Sequence, residues 1–155
     1  MIRRKALVER LEPRQLLSAA MVEDLNTAPG LLPGFWSSVA ADSVVYLSHE
    51  DGVAGWELYK TDGTTAGTVL VKDIRPGRDN SAPSWLTQLA GGTILFTADD
   101  GTNGIELWKS DGTLAGTVMV KDINPGAAAS SPGNLLNVNG TIYFSANDGV
   151  NGSEL

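Results

Sequence analysis

The sequence contains no cysteine, only one histidine and no long hydrophobic run. The lack of cysteine excludes disulfide bonds and cysteine-ligated zinc as sources of stability. No stretch approaches the roughly 20 consecutive apolar residues that a membrane-spanning helix needs, so we expect no membrane span. The single histidine, His49, aligns with alanine in the two other copies of the repeat described below. We therefore interpret His49 as an ordinary residue beside a turn.

Basic residues are scarce beyond the first 20 positions. Those positions carry five basic and two acidic residues, whereas the other 135 residues carry a net charge of −10. An acidic body repels nucleic acid and anionic lipid, so neither is expected as a partner. The basic N-terminus is like that of a signal peptide, but Glu9, Arg10, Glu12 and Arg14 interrupt any hydrophobic core. A standard secretory signal is therefore a poor match.

The chain does contain a repeat. The segment 56–77 returns 49 residues later as 105–126, with 16 of 22 positions identical, and a third copy begins at Tyr143 and stops at Leu155. A repeat of this length is typical of a stacked array or a β-propeller, in which each unit buries its apolar face against a neighbour. We divide the chain into an N-terminal segment and linker (1–30), a first unit (31–79), a second unit (80–127) and an incomplete third unit (128–155). The N-terminal segment is expected to be a short helix or disordered.

Each full unit is expected to contain four short strands. Asp-Gly pairs separate the second strand from the third and the third from the fourth, and this dipeptide between apolar runs is a strong hairpin signal. The glycines of the third-to-fourth turns (Gly63, Gly67, Gly112 and Gly116) are accordingly turn residues and not a phosphate cradle. The expected strands are 35–40, 43–48, 56–61 and 67–74 in the first unit, 84–90, 93–98, 105–110 and 116–123 in the second, and 134–139 and 141–146 in the third.

The second strand of each unit has consecutive apolar residues, as in Val45–Leu47, Ile94–Phe96 and Ile142–Phe144. Apolar side chains on both faces predict a strand that is covered on both faces. Stacked four-stranded sheets satisfy this requirement, so we predict an all-β fold built of propeller blades. Propellers have typically 4–8 blades, and two and a fraction cannot close a ring. We therefore expect this chain to be the N-terminal piece of a longer array with further repeats.

Two motifs resemble known bacterial sequences. ELWKSDGT (Glu106–Thr113), followed by AGTVMVKDI, resembles the repeat described by the string ELWxSDGT, found in large secreted or surface proteins that are loosely labelled hyalin-like. LEPRQLLSA (Leu11–Ala19) resembles the LEPR-XLL motif, a sorting signal near the N-terminus of very large exported proteins. These resemblances imply an extracellular or cell-surface location and a propeller-like array without established catalytic residues.

The acidic turns are the candidate interaction sites. Asp99–Gly104 superficially resembles a calcium loop. Its third position is Gly101, where an EF-hand needs an oxygen ligand, and the twelfth position is Ser110, where an EF-hand needs glutamate. Hairpin turns are the preferred interpretation, and weak calcium binding is the alternative; no cofactor is otherwise expected. The turn residues that we expect to contact a partner are Asp51, Asp100, Asn103, Asp148 and Asn151.

Other residues recur in every unit and are interpreted as structural, because a catalytic carboxylate pair needs one special site. Recurring glutamates and Lys-Asp pairs are expected to form inter-blade hydrogen bonds or ion pairs. Bulky aromatic positions are expected to pack between blades, with glycan contact as the alternative. These residues are Glu57, Glu106 and Glu154, Lys72-Asp73 and Lys121-Asp122, and Trp36, Trp56, Tyr59, Trp85 and Trp108.

The sequence thus favours a non-catalytic repeat module of an exported protein that presents loops to a protein or a glycan. The alternative is a fragment of a propeller enzyme, a glycoside hydrolase or lyase acting on polysaccharide. That alternative rests on fold-level analogy.

Overall fold

The computed structural model describes residues 37–155. The N-terminal segment, for which a short helix or disorder is expected, lies outside these described residues, as do the LEPRQLLSA motif, the linker and Trp36. Within them, the chain forms eleven strands and a short 3₁₀ turn at Ala90–Gly92. The strands are β1 (Ser38–Ala41), β2 (Val44–Glu50), β3 (Trp56–Thr61), β4 (Val69–Lys72), β5 (Ser84–Gln88), β6 (Ile94–Asp99), β7 (Ile105–Ser110), β8 (Val118–Lys121), β9 (Gly133–Val138), β10 (Thr141–Asn147) and β11 (Ser153–Glu154).

The strands form three separate antiparallel sheets, each a meander in chain order. The first sheet is β1-β2-β3-β4, the second is β5-β6-β7-β8 and the third is β9-β10-β11. The all-β prediction is confirmed, and so is the repetition of a sheet of up to four strands. Residues 37–155 form three separate sheets and no closed barrel or ring.

Successive sheets pack face to face. Tyr46 and Leu58 of the first sheet meet Ile94, Phe96 and Trp108 of the second in one buried cluster. The middle strand β6 is consequently buried on both faces along nearly its whole length, as its consecutive apolar residues predict. The first strands of the units lie next to one another, β1 beside β5 and β5 beside β9. The sheets are therefore closest at their first strands.

The strand ends differ from the sequence prediction where side chains or glycine redirect the backbone. The strand expected at 84–90 stops at Gln88, because Ala90–Gly92 forms a turn in which Gly91 has a φ of 69°. The strands expected at 67–74 and 116–123 are only four residues long. Their first residues belong instead to the preceding turn.

That turn explains the SDGT part of the ELWxSDGT string. The Asp111 carboxylate accepts hydrogen bonds from the Thr113 amide (2.9 Å) and hydroxyl (2.7 Å), and the Thr113 hydroxyl oxygen accepts one from the Gly116 amide. Ser110 and Thr117 join the two ends of the turn through their hydroxyls, 2.7 Å apart. The first unit repeats this arrangement with Asp62. The Ser/Thr-Asp-Gly-Thr segment is thus a self-contained hydrogen-bonded turn.

Two aromatic positions pack between units to different extents. Trp108 is buried, whereas Trp85 is 50% exposed. Trp85 lies in a β-bulge between Ser84 and Thr87 with a φ of +55°, and its indole ring lies beside Gly133 of the third unit. Asn134, its counterpart in the third unit, has a φ of +56°. The side chain of Trp85 therefore contacts the next unit while half of its surface stays open to solvent.

Candidate functional site

The turns that follow the second strand of each unit lie on one edge of the array. They span residues 51–55, 100–104 and 148–152, and they alternate along that edge with the linkers 75–81 and 124–130. Gly55 lies against the backbone of Asp79, and Gly104 lies against Ala128 and Ala129. We call this surface the turn–linker edge. It contains all five residues that the sequence predicts to contact a partner.

The carboxylate of the aspartate in each of these turns accepts hydrogen bonds from its own loop. Asp51 Oδ1 accepts the amides of Val53 and Ala54, both at 2.8 Å. Asp100 Oδ1 accepts the two backbone amides of Thr102 and Asn103, and its Oδ2 accepts the Asn103 side-chain amide, all at 2.8 Å. Asp148 and Asn151 repeat the same contacts in the third unit.

These hydrogen bonds favour the charged form of each carboxyl group. For Asp148 the backbone amides of Asn151 and Val150 lower the pKa below its usual value. Burial is the largest single influence on Asp100 and raises its pKa, but the combined hydrogen bonds from Asn103 and Thr102 outweigh burial and leave the pKa lowered. The carboxylates therefore fix the shape of the turns, and the tips of the turns face solvent.

Most acceptor sites of Asp100 are used within its own loop. Oδ1 accepts two backbone amides and Oδ2 accepts the Asn103 side-chain amide, which occupies three of the roughly four lone-pair sites of a carboxylate. No group of three or more His, Asp or Glu residues in the part of the chain that the structure describes could hold a metal ion. The turn residues thus stand as a surface of fixed loops.

Adjacent turns are connected through the linkers. Arg75, at the start of the first linker, places Nη1 2.7 Å from Asp99 Oδ2 at the base of the second turn. Its guanidinium also packs against Gly101. Asn124 holds the same position in the second linker and packs against Gly149. Each unit therefore positions the turn of the next unit, which makes the edge continuous.

The recurring glutamates hold the linkers in place. Glu57 is fully buried, and its carboxylate accepts hydrogen bonds from the Ile74 amide (2.8 Å), the Ser81 amide (3.0 Å) and the Ser81 hydroxyl (2.6 Å). Glu106 makes the same contacts to Ile123 and Ser130. Burial raises the pKa of Glu57, and the hydrogen bonds from Ser81 and Ile74 partly offset that effect. Because no surface of Glu57 is open to solvent, a substrate cannot reach it.

Sequence reasoning identified the glutamates but missed the serines that they bind. Ser81 and Ser130 each lie 24 residues after their glutamate. Both occur in a Ser-x-Pro segment, Ser81-Ala-Pro83 and Ser130-Ser-Pro132. The recurring Ser-x-Pro segment could have indicated that these serines are structural. The sequence does not show which carboxylate each serine binds.

Lysines connect the first sheet to the second. Lys72 Nζ donates a hydrogen bond to the Thr117 carbonyl at 2.8 Å and lies 5.5 Å from the centroid of the Trp108 ring. Lys60 Nζ donates to the Gly112 carbonyl at 2.8 Å. Both contacts reach the turn between the third and fourth strands of the next unit. The expected inter-unit hydrogen bond of the Lys-Asp pair is therefore formed by Lys72.

His49 lies on β2 with its ring 5.1 Å from the Tyr59 ring in an edge-to-face arrangement. Burial lowers the pKa of His49, and the nearby Asp51 and Glu50 partly offset this effect. Tyr59 shows the opposite change, because burial and then Asp51 raise its pKa. His49 thus packs beside the first turn as the sequence suggested.

Comparisons of this chain with protein-family models, curated proteins and solved structures found no match. Among residues 37–155, no helix is both long and apolar enough to cross a membrane. Function must therefore be argued from the geometry of the turn–linker edge and the packed sheets.

Proposed function

We propose that this chain is a non-catalytic repeat module of an exported or cell-surface protein, and that its turn–linker edge binds a protein or a glycan. The sheets serve in this proposal as a rigid support, and the turns as the contact surface. Binding residues commonly lie on loops that a rigid scaffold holds in place. The module is one part of a larger propeller-like array.

The blade interpretation is supported by how the sheets repeat. Each full sheet is a four-stranded meander, and the first strands of neighbouring units lie side by side. The same glutamate and linker positions make the same hydrogen bonds in both full units, which supports one repeated relation between successive sheets in the proposed array. Repetition of this kind around an axis produces a propeller, whereas a single flat sheet would leave β6 exposed on one face.

The observation that carries the proposal is the contrast between the buried supports and the exposed tips of the turn–linker edge. The recurring glutamates Glu57 and Glu106 are buried, and they hold the linkers through internal hydrogen bonds. The tips of the turns are open to solvent, and Val53 and Val150 there are 71% and 85% exposed. Exposed apolar side chains on turns that a hydrogen-bonded scaffold holds in place suit recognition.

The exported location and the class of partner are supported by different observations. The location rests on the resemblance of LEPRQLLSA to a sorting motif and of ELWKSDGT to repeats of surface proteins. The net charge of −10 beyond residue 20 disfavours nucleic acid and anionic lipid, which leaves protein or glycan as the partner.

Fractionation of the source cells with an antibody against residues 37–155 tests the location. Recovery of the protein only inside the cells would contradict it.

The binding role is tested by changing the turn tips together. A Val53→Ser, Thr102→Ser, Val150→Ser variant alters the turn–linker edge, whereas Leu114→Ser changes an exposed residue on the opposite turns. We expect binding to the source cell surface and to a glycan array to fall with the triple variant and to persist with the control. Equal binding by all three proteins would refute the role of the edge.

A further inference from the structure

The first strands of the second and third units meet along a seam that the turn–linker edge does not include. Strand β5 lies beside β9, and Asn137 Nδ2 donates a hydrogen bond across the seam to the Gln88 carbonyl at 2.9 Å. The indole ring of Trp85 also lies on this seam, beside Gly133. The second sheet has a neighbouring sheet on each side, so this first-strand seam belongs to the middle of the array.

Trp85 presents a large apolar surface on the first-strand seam. It is 50% exposed, whereas the next residue, Leu86, is 8% exposed and belongs to the buried cluster between the first two sheets. A β-bulge between Ser84 and Thr87 interrupts the pairing with β6 at this point. Bulges commonly re-aim a side chain and are frequent beside functional sites. An exposed indole ring inside a packed array is therefore a candidate contact surface.

The backbone at Trp85 is strained. Its φ of +55° lies in the left-handed region, where a bulky side chain is a genuine outlier. The third unit has the same bulge, and Asn134 takes a φ of +56° there. Asparagine tolerates this conformation, so the repeat itself does not require a tryptophan at this position. Strain that is kept for one side chain points to a role of that side chain outside the fold.

The seam is uncharged within an acidic chain. Residues 80–98 and 123–147, which include β5, β9 and β10, contain no acidic residue, no basic residue and no histidine. Asn134 follows Gly133, is exposed, and makes one hydrogen bond within its own unit, to Ser145 Oγ at 3.3 Å. A charged ligand meets no opposite charge here, and the net charge of −10 beyond residue 20 repels an anion.

We propose that Trp85 and the amide of Asn134 bind a sugar ring of a neutral glycan. One face of a pyranose ring presents C–H groups that pack on a flat indole, and the hydroxyl groups at its rim exchange hydrogen bonds with amides. A tryptophan supplies this contact with a large area and few rotatable bonds. The inference extends the proposed binding role to a second surface and gives that surface its own class of ligand.

The test is an NMR titration of the 155-residue chain with neutral oligosaccharides of glucan, mannan, xylan and galactan. The indole N–H signal of Trp85, assigned by its loss in Trp85→Phe, should shift and saturate with at least one of them. An oligosaccharide of galacturonate, which is acidic, should not shift it. The titration of the wild-type chain measures binding without relying on the folding of a variant.

Substitutions at Trp85 test the contact directly. Trp85→Asn gives the second unit the residue that the third unit carries in its bulge, and binding should weaken about tenfold or more. Trp85→Phe keeps a smaller aromatic face and should bind with intermediate affinity. Leu114→Asn removes an exposed apolar side chain from the turn between β7 and β8 and should bind as the wild type does. A thermal scan checks that each variant is folded.

The inference is overturned if no oligosaccharide of the set shifts the Trp85 signal, if Trp85→Asn binds as tightly as the wild type, or if galacturonate binds as well as the neutral sugars. The Val53→Ser, Thr102→Ser, Val150→Ser variant separates this site from the turn–linker edge, and the shift of the Trp85 signal should persist in it. If that variant loses all sugar binding, the glycan binds at the edge, and this inference fails while the proposed function stands.

Discussion

Replacing Glu57 with alanine should be one of the most damaging single changes in the described part of the protein. The carboxylate is fully buried and accepts the Ile74 amide at 2.8 Å and the Arg75 amide at 3.4 Å. It also accepts the Ser81 amide and hydroxyl, but both of these have a second acceptor in the Trp56 carbonyl. Glu57→Ala therefore leaves two amides without an acceptor.

Each buried donor left without a partner costs about 1–3 kcal/mol. We expect Glu57→Ala to lower the free energy of unfolding by about 3 kcal/mol, which is a large share of the roughly 5–15 kcal/mol available to a typical domain. For a chain of this size the melting temperature should fall by about 10 °C. Urea unfolding followed by circular dichroism measures the first quantity, and a thermal scan measures the second.

Glu154→Ala is the matched control, because Glu154 occupies the same position of the repeat and is exposed. Its effect should be within about 0.5 kcal/mol of zero. If Glu57→Ala and Glu154→Ala cost the same, the carboxylate does not hold the linker, and the argument from its hydrogen bonds fails.

Three further predictions concern the same contacts. Burial raises the pKa of Glu57 above its ordinary value of 4.5. The stability that Glu57 contributes through this shift is therefore complete below pH 4.5 and is lost as the pH rises through the raised pKa. In urea unfolding from pH 4 to 8, the wild type should lose stability relative to Glu57→Gln, and parallel profiles would contradict this. Lys72→Met should lower the free energy of unfolding by about 2 kcal/mol through the loss of one charged hydrogen bond and one cation–π contact. Lys121→Met removes an exposed lysine at the same repeat position and should change it by almost nothing in the same assay. Gly116→Ala should lower the melting temperature, because the new methyl group collides with the Asp111 carboxylate; adding Asp111→Ala should produce less than additive loss, and strictly additive losses would exclude the collision.

The strands and turns follow closely from local sequence. Asp-Gly between apolar runs predicts the turns at Gly52 and Gly101, and both glycines adopt the positive φ that this dipeptide provides, 78° and 81°. The third strands occupy Trp56–Thr61 and Ile105–Ser110, as the repeat predicts. These features depend on neighbours in the chain, so a single sequence is enough to find them.

The contacts between units could not be predicted in the same way. The bond from Lys72 to the Thr117 carbonyl spans 45 residues, and it depends on how one sheet lies on the next. Trp85 is half exposed in a bulge of β5. The sequence pattern does not reveal this bulge, and an aromatic residue in a strand pattern otherwise suggests burial. Local preference therefore gives the elements, whereas their tertiary arrangement decides which side chains are available to a partner.

The contact from Glu57 to Ser81 has a consequence for how such an array can be duplicated. Its two residues lie 24 positions apart, and the serine belongs to the unit that follows. A genetic crossover between the codons of Glu57 and Ser81 could bring in a sequence without the serine, and the buried carboxylate would then lose its hydroxyl partner. A crossover between two copies of this repeat in matching phase would keep a glutamate and a serine together. Gain and loss of units by recombination should therefore favour exchanges that keep the 49-residue phase seen between Glu57 and Glu106.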